Sequence, residues 1–246
     1  MTRIAFISDI HGNLEALNAV LDKIYAEGAD TIICLGDIVG YGPNPKECLE
    51  IIREREIQCI KGNHDDYVSQ MFELDIMARL RDDVKKSIEW TQAQLDFDDL
   101  GWLAKLPQSM AADDFNIVHG ANTPDPYRYC RDEASIQLNF QYQEPQLSFC
   151  GHSHSPLIGV LRPDAEMPIV DYIRRQTIDP NTKVLVNIGS VGQPRDSDNR
   201  ACFVFFEYEA RTISLTRVPY DFQTTQEKII EAGLPEKFSL RLERGK

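Results

Sequence analysis

The stretch Arg3-Ile-Ala-Phe-Ile-Ser-Asp-Ile-His-Gly-Asn13, followed by Leu14-Glu-Ala-Leu-Asn-Ala-Val-Leu-Asp-Lys-Ile-Tyr-Ala-Glu-Gly28, decides the fold. The apolar run from Arg3 to Ser8 reads as a buried strand. Leu14, Leu17, Leu21 and Ile24 then recur along one helical face. Gly28 is a good helix stop. The rhythm repeats. Asp30–Gly36 is a second short apolar strand, Pro43 and Pro45 open a helix bearing Cys48, Leu49 and Ile52 on one side, and Ile57–Ile60 is a third strand. Strands with so few polar positions, alternating with helices, predict a parallel sheet covered by helices.

Further along, the pattern changes. Residues 71–106 read as helical with a polar face, an inserted helical layer or cap with breaks near Asp82 and Asp96. Phe115–Gly120 gives another strand, followed by an irregular stretch, 121–130, rich in Pro and Asn. Gln146–Leu161 holds two strands around a tight break. Thr182–Ser197 is a strand and a glycine-bearing loop. Ala201–Ala210 and Thr212–Tyr220 predict an antiparallel hairpin turning near Ala210 and Arg211. A last helix begins at Asp221, and the tail after Pro235 is weakly patterned. The early half thus reads parallel and the late half antiparallel. The expectation is one α/β domain spanning 1–246, with two packed sheets and helices outside.

Composition narrows the function. The chain has 246 residues, 42% apolar and 26% charged, ordinary values for a globular protein. A net charge of −13 repels long nucleic acid. A small phosphorylated partner is compatible with it, because bound cations reverse the local potential. The chain shows no membrane-length apolar run and no basic, apolar leader, so the expectation is a cytoplasmic protein without a membrane partner. Six cysteines lie far apart with no C-x-x-C pair and are expected to be free thiols.

All five histidines follow apolar, strand-like runs. Asp9 and His11 follow the first, Asp37 the second, Asn63 and His64 the third, His119 the fourth, and His152 and His154 the fifth. Strand ends in α/β sheets are where distant side chains converge. Carboxylates with neutral imidazoles suit borderline divalent cations such as Mn, Fe, Zn, Co or Ni, whereas Mg prefers an all-oxygen site. Asp-x-His and His-x-His at strand tips are expected to turn both side chains to one face by the strand's period of two. Gly36, Gly62 and Gly151 directly precede ligating residues, where glycine permits sharp bends and close approach. Any one of these clusters alone is an ordinary cap, turn or core histidine; five together point to a metal site.

This set, Asp-x-His, Gly-Asp, Gly-Asn-His-Asp, a later His and Gly-His-x-His, resembles the calcineurin-like metallophosphoesterase superfamily over roughly Arg3 to Pro219. Asn187–Asp196 resembles its small bacterial branch, described as diadenosine tetraphosphatase-like or serine/threonine phosphatase-like. The resemblance implies a four-layer α-β-β-α sandwich of two mixed sheets. It also implies two divalent metal ions, with Mn expected to support activity best. Asp9, His11, Asp37 and His154 would hold one, and Asp37, Asn63, His119 and His152 the other. His64 would be catalytic near the leaving group, oriented by Asp65. The implied reaction is hydrolysis of a phosphate ester or phosphoanhydride by a metal-bridging hydroxide.

Substrate contacts are expected from Arg195, a fork of donors for phosphate; from Asn13, unless it only caps the following helix; and from Tyr127 and Arg128 in an aromatic and basic loop patch. Tyr41 and Asn44 follow Asp37 closely enough to line the pocket. The substrate expected is small and phosphorylated, a nucleotide among the candidates. The alternatives are a cyclic-nucleotide or nucleic-acid phosphodiesterase, a serine/threonine protein phosphatase, or a non-catalytic phosphate sensor. A Rossmann dinucleotide site and a serine-nucleophile elbow are excluded by the absence of their glycine motifs.

Overall fold

The computed structural model describes residues 1–70 and 80–246. It contains two six-stranded mixed sheets. The first runs β3 (Gln58–Cys59), β2 (Thr31–Cys34), β1 (Arg3–Ile7), β11 (Ala201–Glu207), β12 (Thr212–Val218) and β9 (Gln176–Thr177). Its β1, β2 and β3 are mutually parallel; β11 joins β1 antiparallel and pairs with β12 as the expected hairpin. The second runs β4 (Ser109–Ala111), β5 (Phe115–Val118), β6 (Leu147–Cys150), β10 (Lys183–Asn187), β7 (Leu157–Leu161) and β8 (Ile169–Asp171). Here β5, β6 and β10 are parallel and the rest antiparallel. The change from parallel to antiparallel therefore does not divide the chain in two. It occurs within each sheet, because β10 and β11 return to pair with strands laid down much earlier.

Alternation along the strands sorts side chains into layers. In β1, Ile4 and Phe6 face the second sheet, whereas Ala5 and Ile7 face helices α1 (Leu14–Glu27) and α2 (Pro45–Glu54). In β11, Val204 and Phe206 point between the sheets, and Phe203 and Phe205 point to the helices. From the second sheet, Leu147, Phe149, Val184 and Val186 complete the inner layer, while Leu185 and Cys150 pack outward on Ile136 and Phe140 of α6 (Glu133–Tyr142). The inner layer is tight: Phe6 stacks on Phe149 at 4.1 Å, and Phe115 meets Phe149 edge-on at 5.6 Å. Burying each such side chain contributes about 1.5–3 kcal/mol. All six cysteines are buried free thiols.

The helical segment breaks where expected, into α4 (Asp82–Gln94) and α5 (Phe97–Lys105). Asp96 caps α5 by accepting from the backbone N–H groups of Asp98 and Asp99. Ile88, Leu100 and Leu103 extend the α1–α2 core. The part of that expectation falling on 71–79 lies outside the described residues.

Several elements depart from the sequence reading. Asn63–Ser69 is a short helix, α3, beginning at the polar cluster itself. After α7 (Phe222–Glu231), the weakly patterned tail forms α8 (Glu236–Arg244). Only Phe238 and Leu242, one turn apart, anchor α8 among Ile229 and Leu234. Docking supplies what so sparse an apolar stripe does not signal locally. Among the described residues, no helix is long and apolar enough to cross a membrane.

The inter-sheet layer sets the relative position of the strand ends. Phe149→Ala, at a fully buried position, is expected to cost about 3–5 kcal/mol, read as a lower urea midpoint with an unchanged m-value.

Candidate metal centre

The seven proposed ligands and His64 lie just past the C-terminal ends of β1, β2, β3, β5 and β6, Asn63 and His64 in the first turn of α3 and the others in loops. They do not converge through strand pleating. Asp9, His11, Asp37, His152 and His154 all have positive φ, between +50° and +64°. Left-handed backbone at a non-glycine residue costs of order 1–2 kcal/mol. Such turns persist where the surroundings hold them. Here loop is laced to loop. Backbone N–H groups of Asp9, His11 and Gly12 donate to the carbonyls of Gly36, Asp37 and Ile38 at 2.9–3.0 Å. Those of Val191 and Gly192 donate to Ser8 and Asp9 at 2.9 Å, and Gly151 donates to His119 at 2.8 Å. Two glycines are required by close approach. A Cβ at Gly62 would run into the Asp37 carboxylate, and one at Gly151 would lie 2.5 Å from Asp9 Oδ2.

Two groups of buried side chains able to hold a cation result: Asp9, His11, Asp37 and His154, and Asp37, His119 and His152. Asp37 belongs to both. Its Oδ2 lies 3.6 Å from His11 Nε2 and 3.3 Å from His119 Nε2. Asn63 joins the second group, with Oδ1 3.2 Å from His119 Nε2.

The donor set fits divalent cations. His11 Nδ1 is bonded to the Val39 carbonyl at 3.1 Å, His154 Nδ1 to Gln193 at 2.7 Å, and His119 Nδ1 to Leu35 at 2.7 Å. A carbonyl only accepts, so each Nδ1 donates and each Nε2 is turned inward, with a free lone pair where the ring is neutral. The Nε2 atoms of His11 and His154 then face each other at 3.1 Å. Asp9 Oδ1, buried and without a hydrogen-bond donor, lies 3.2 Å from His154 Nε2. Lone pairs and a carboxylate crowded together in this way repel unless a cation lies among them. Carbonyls behind metal-ligating histidines are the usual means of fixing the tautomer.

Electrostatics agree. Burial pushes His11, His154, His152 (to about 3) and His64 (to about 4) below the usual imidazole range, which keeps them neutral. Burial disfavours the ionised Asp37, yet His119, His64 and His11 outweigh it and hold the carboxyl well below its ordinary value. His119 is the partner: burial lowers it, but the Asp37 carboxylate raises it to about 10. In the metal-free protein a proton on His119 thus offsets the charge of Asp37.

The sequence profile described as the calcineurin-like phosphoesterase superfamily domain matches residues 2–211. The chain belongs to that superfamily. This metallophosphoesterase is 37% identical over 248 residues to an uncharacterized protein of Methanocaldococcus jannaschii, covering 99% of this chain and 98% of that one. It superimposes on a metallophosphoesterase from Sphaerobacter thermophilus with a TM-score of 0.85 and 38% identity, covering 100% and 99% of the two chains. Escherichia coli phosphodiesterase YfcE is 33% identical over 81 residues, 29% of this chain and 44% of that protein.

Beside the metal groups the phosphoesterase has a cavity of about 380 Å³, lined in part by Asp37, Asn63, His64, His152 and His154. Arg195, Tyr127 and Tyr41 line it as expected. Four expectations are corrected. Asn44 is not part of the lining; its amide donates to Glu47 Oε1 at 2.8 Å. Asn13 does not reach this cavity: its Oδ1 accepts from Ala16 N–H as the cap of α1, and its amide donates to the Gly192 carbonyl. Arg128 is exposed and is not part of the lining; its neighbour Tyr129, also exposed, lines the cavity and stacks on His152 at 4.1 Å. Asp65 does not orient His64. Its carboxylate accepts from the backbone N–H groups of Asp37, Ile38, Val39 and Gly62, at 2.7–3.3 Å. It holds the Asp37 loop against the start of α3, and His64 Nδ1 is left buried without a partner.

Sequence reasoning missed Arg81 and Arg241, which also line the cavity. Arg241 sits in the unpatterned tail, where no local signal marked it.

A cation held by His119 Nε2 would displace the proton that the Asp37 carboxylate favours there. Calorimetric titration with Mn²⁺ in buffers of different ionisation enthalpy should show about one proton released per protein between pH 7 and 9. Apparent affinity should then rise about tenfold per pH unit.

Proposed function

We propose that this chain is a dinuclear metal-dependent phosphoesterase hydrolysing a small phosphate ester or phosphoanhydride. The carrying observation is the buried Asp37 carboxylate shared by both ligand groups. Asp9, His11 and His154 would complete one site, and Asn63, His119 and His152 the other. The mixed nitrogen and oxygen donors favour Mn, Fe, Zn, Co or Ni, with Mn expected to support turnover best. When bound, the two cations acidify a water for attack on phosphorus and neutralise charge on the phosphate oxygens.

The chain's own side chains do the rest. Asn63 supplies an oxygen without a further negative charge, which keeps the site cationic enough for phosphate. His64 is 4% exposed, and its Nδ1 abuts Gly40 with no acceptor. The ring proton is therefore better placed on Nε2, at the cavity side. A neutral His64 can then donate to the leaving oxygen as charge develops there. Tyr67, Tyr127 and Tyr129 offer aromatic surface to an organic leaving group, and a cavity of about 380 Å³ suits a small molecule. We take the reaction to be cytoplasmic, in keeping with six buried free thiols.

Asp37→Asn should lose most bound Mn, measured by elemental analysis, and nearly all hydrolysis of p-nitrophenyl phosphate. Undiminished turnover by that variant would end the proposal. His64→Ala should retain Mn while kcat falls about 10²–10⁴-fold. The loss should be steeper for phenyl phosphate than for the p-nitrophenyl ester, because the poorer leaving group depends more on the donated proton.

A further inference from the structure

One wall of the cavity carries positive charge that the metal chemistry does not use. Arg195 comes from the loop after β10 and Arg241 from α8. Arg195 Nη2 donates to Gln193 Oε1 at 2.6 Å, and Arg241 Nη1 donates to the same oxygen at 2.9 Å. Two guanidinium groups thus meet on one neutral amide. Among the described residues, neither forms an ion pair. The nearby carboxylates are engaged elsewhere, Asp83 with Lys237 and Arg81, and Asp196 with Arg217. Arg195 Nε is buried with no hydrogen-bond partner. Burial and the adjacent Arg195 both weaken the hold of Arg241 on its proton.

The pair is fixed beside the metal ligands. Arg195 N–H donates to the His154 carbonyl at 3.0 Å. Its guanidinium lies 5.7 Å from the Tyr41 ring centre, and that ring lies 4.3 Å from His64. On the other side, α8 is anchored by buried Phe238 and Leu242. The Gly245 carbonyl at its end accepts from Ser197 N–H at 2.8 Å, tying the helix to the loop that carries Arg195. Two like charges held side by side without a direct ion pair repel, and a bound anion relieves that repulsion. Planar guanidinium forks match phosphate oxygens in pairs.

We propose that Arg195 and Arg241 form an anion subsite for a second phosphate of the substrate, so that compounds with two linked phosphates are selected over simple monoesters. The subsite rests on the phosphoesterase reading above, which places the first phosphate at the metal groups. Arg241 lies beyond residues 2–211, the part matching the superfamily profile. Arg195 lies within that part, so the C-terminal helix supplies one half of the subsite and the metal-binding core the other.

The test is calorimetric binding of inorganic phosphate and of methylenediphosphonate, which is not hydrolysed, to Mn-loaded protein at fixed free Mn²⁺. The wild type should prefer the diphosphonate by about tenfold or more. Arg241→Gln should cut that preference by about tenfold. Arg241→Lys, which keeps charge but loses the fork, should fall between. Arg195→Gln carries the same expectation should loss of Arg241 loosen α8, which a thermal melt would reveal. An unchanged preference in folded Arg241→Gln and Arg195→Gln proteins overturns the subsite. So does equal weakening of both ligands, which would put the pair on the reacting phosphate. Absence of Mn-dependent hydrolysis of both p-nitrophenyl phosphate and pyrophosphate by the wild type would instead defeat the phosphoesterase reading, and the binding comparison would still report on the arginine pair.

Discussion

The Asp37 carboxylate is buried among imidazoles, and the local structure follows from that. An ionised carboxyl removed from water is strongly unfavourable unless paired. Here His119 stands on one side of it and His11 on the other, with His64 N–H donating to its second oxygen at 2.8 Å. Keeping it there shapes the neighbouring backbone. Gly62 must lack a side chain to let it in. Asp65 spends its whole carboxylate on backbone N–H groups around Asp37. Five ligand residues adopt left-handed turns. Divalent cations held by the two side-chain groups that share Asp37 would give this arrangement a reason that folding alone does not.

Strained turns need a stiff support, and the two sheets provide it. The Phe6, Phe115 and Phe149 cluster locks the sheets face to face. Ladder hydrogen bonds then hold the ends of β1, β2, β5 and β6 to within the tolerance a metal site demands. The binding surface is built differently. Its arginines come from a loop and from a terminal helix anchored by a few apolar contacts. The ligand groups thus sit at the ends of buried, paired strands, and the contacts that would choose a substrate sit at their margin. Evolution can alter such a margin without disturbing the metals.

The sequence was informative where one residue type has few roles. Histidines placed only after apolar runs announced a site, and carboxylates among them announced cations. The reading was weaker where a polar side chain has several local partners. Asn13 and Asp65 sit next to site residues yet bond to backbone, which adjacency does not reveal. Arg128 and Tyr129 are neighbours in an irregular loop, and only the loop's path decides which of them lines the cavity. The period-two argument for Asp9 and His11 reached the right grouping through the wrong geometry, since left-handed turns and not pleating bring them together.

What the sequence alone determined was the alternation of apolar and polar residues, and with it the strands, most helices, the layered α/β class and the superfamily resemblance. The elements and the class follow from local periodicity, which each segment carries by itself, and the resemblance from short motifs of polar residues after the strands. Only the tertiary structure decided that Asp37 Oδ2 lies between two histidines more than a hundred residues apart, and that Arg241 from an unpatterned tail meets Arg195. Such meetings depend on how the ends of distant strands and helices are fixed in space by a shared core, and no single segment encodes that.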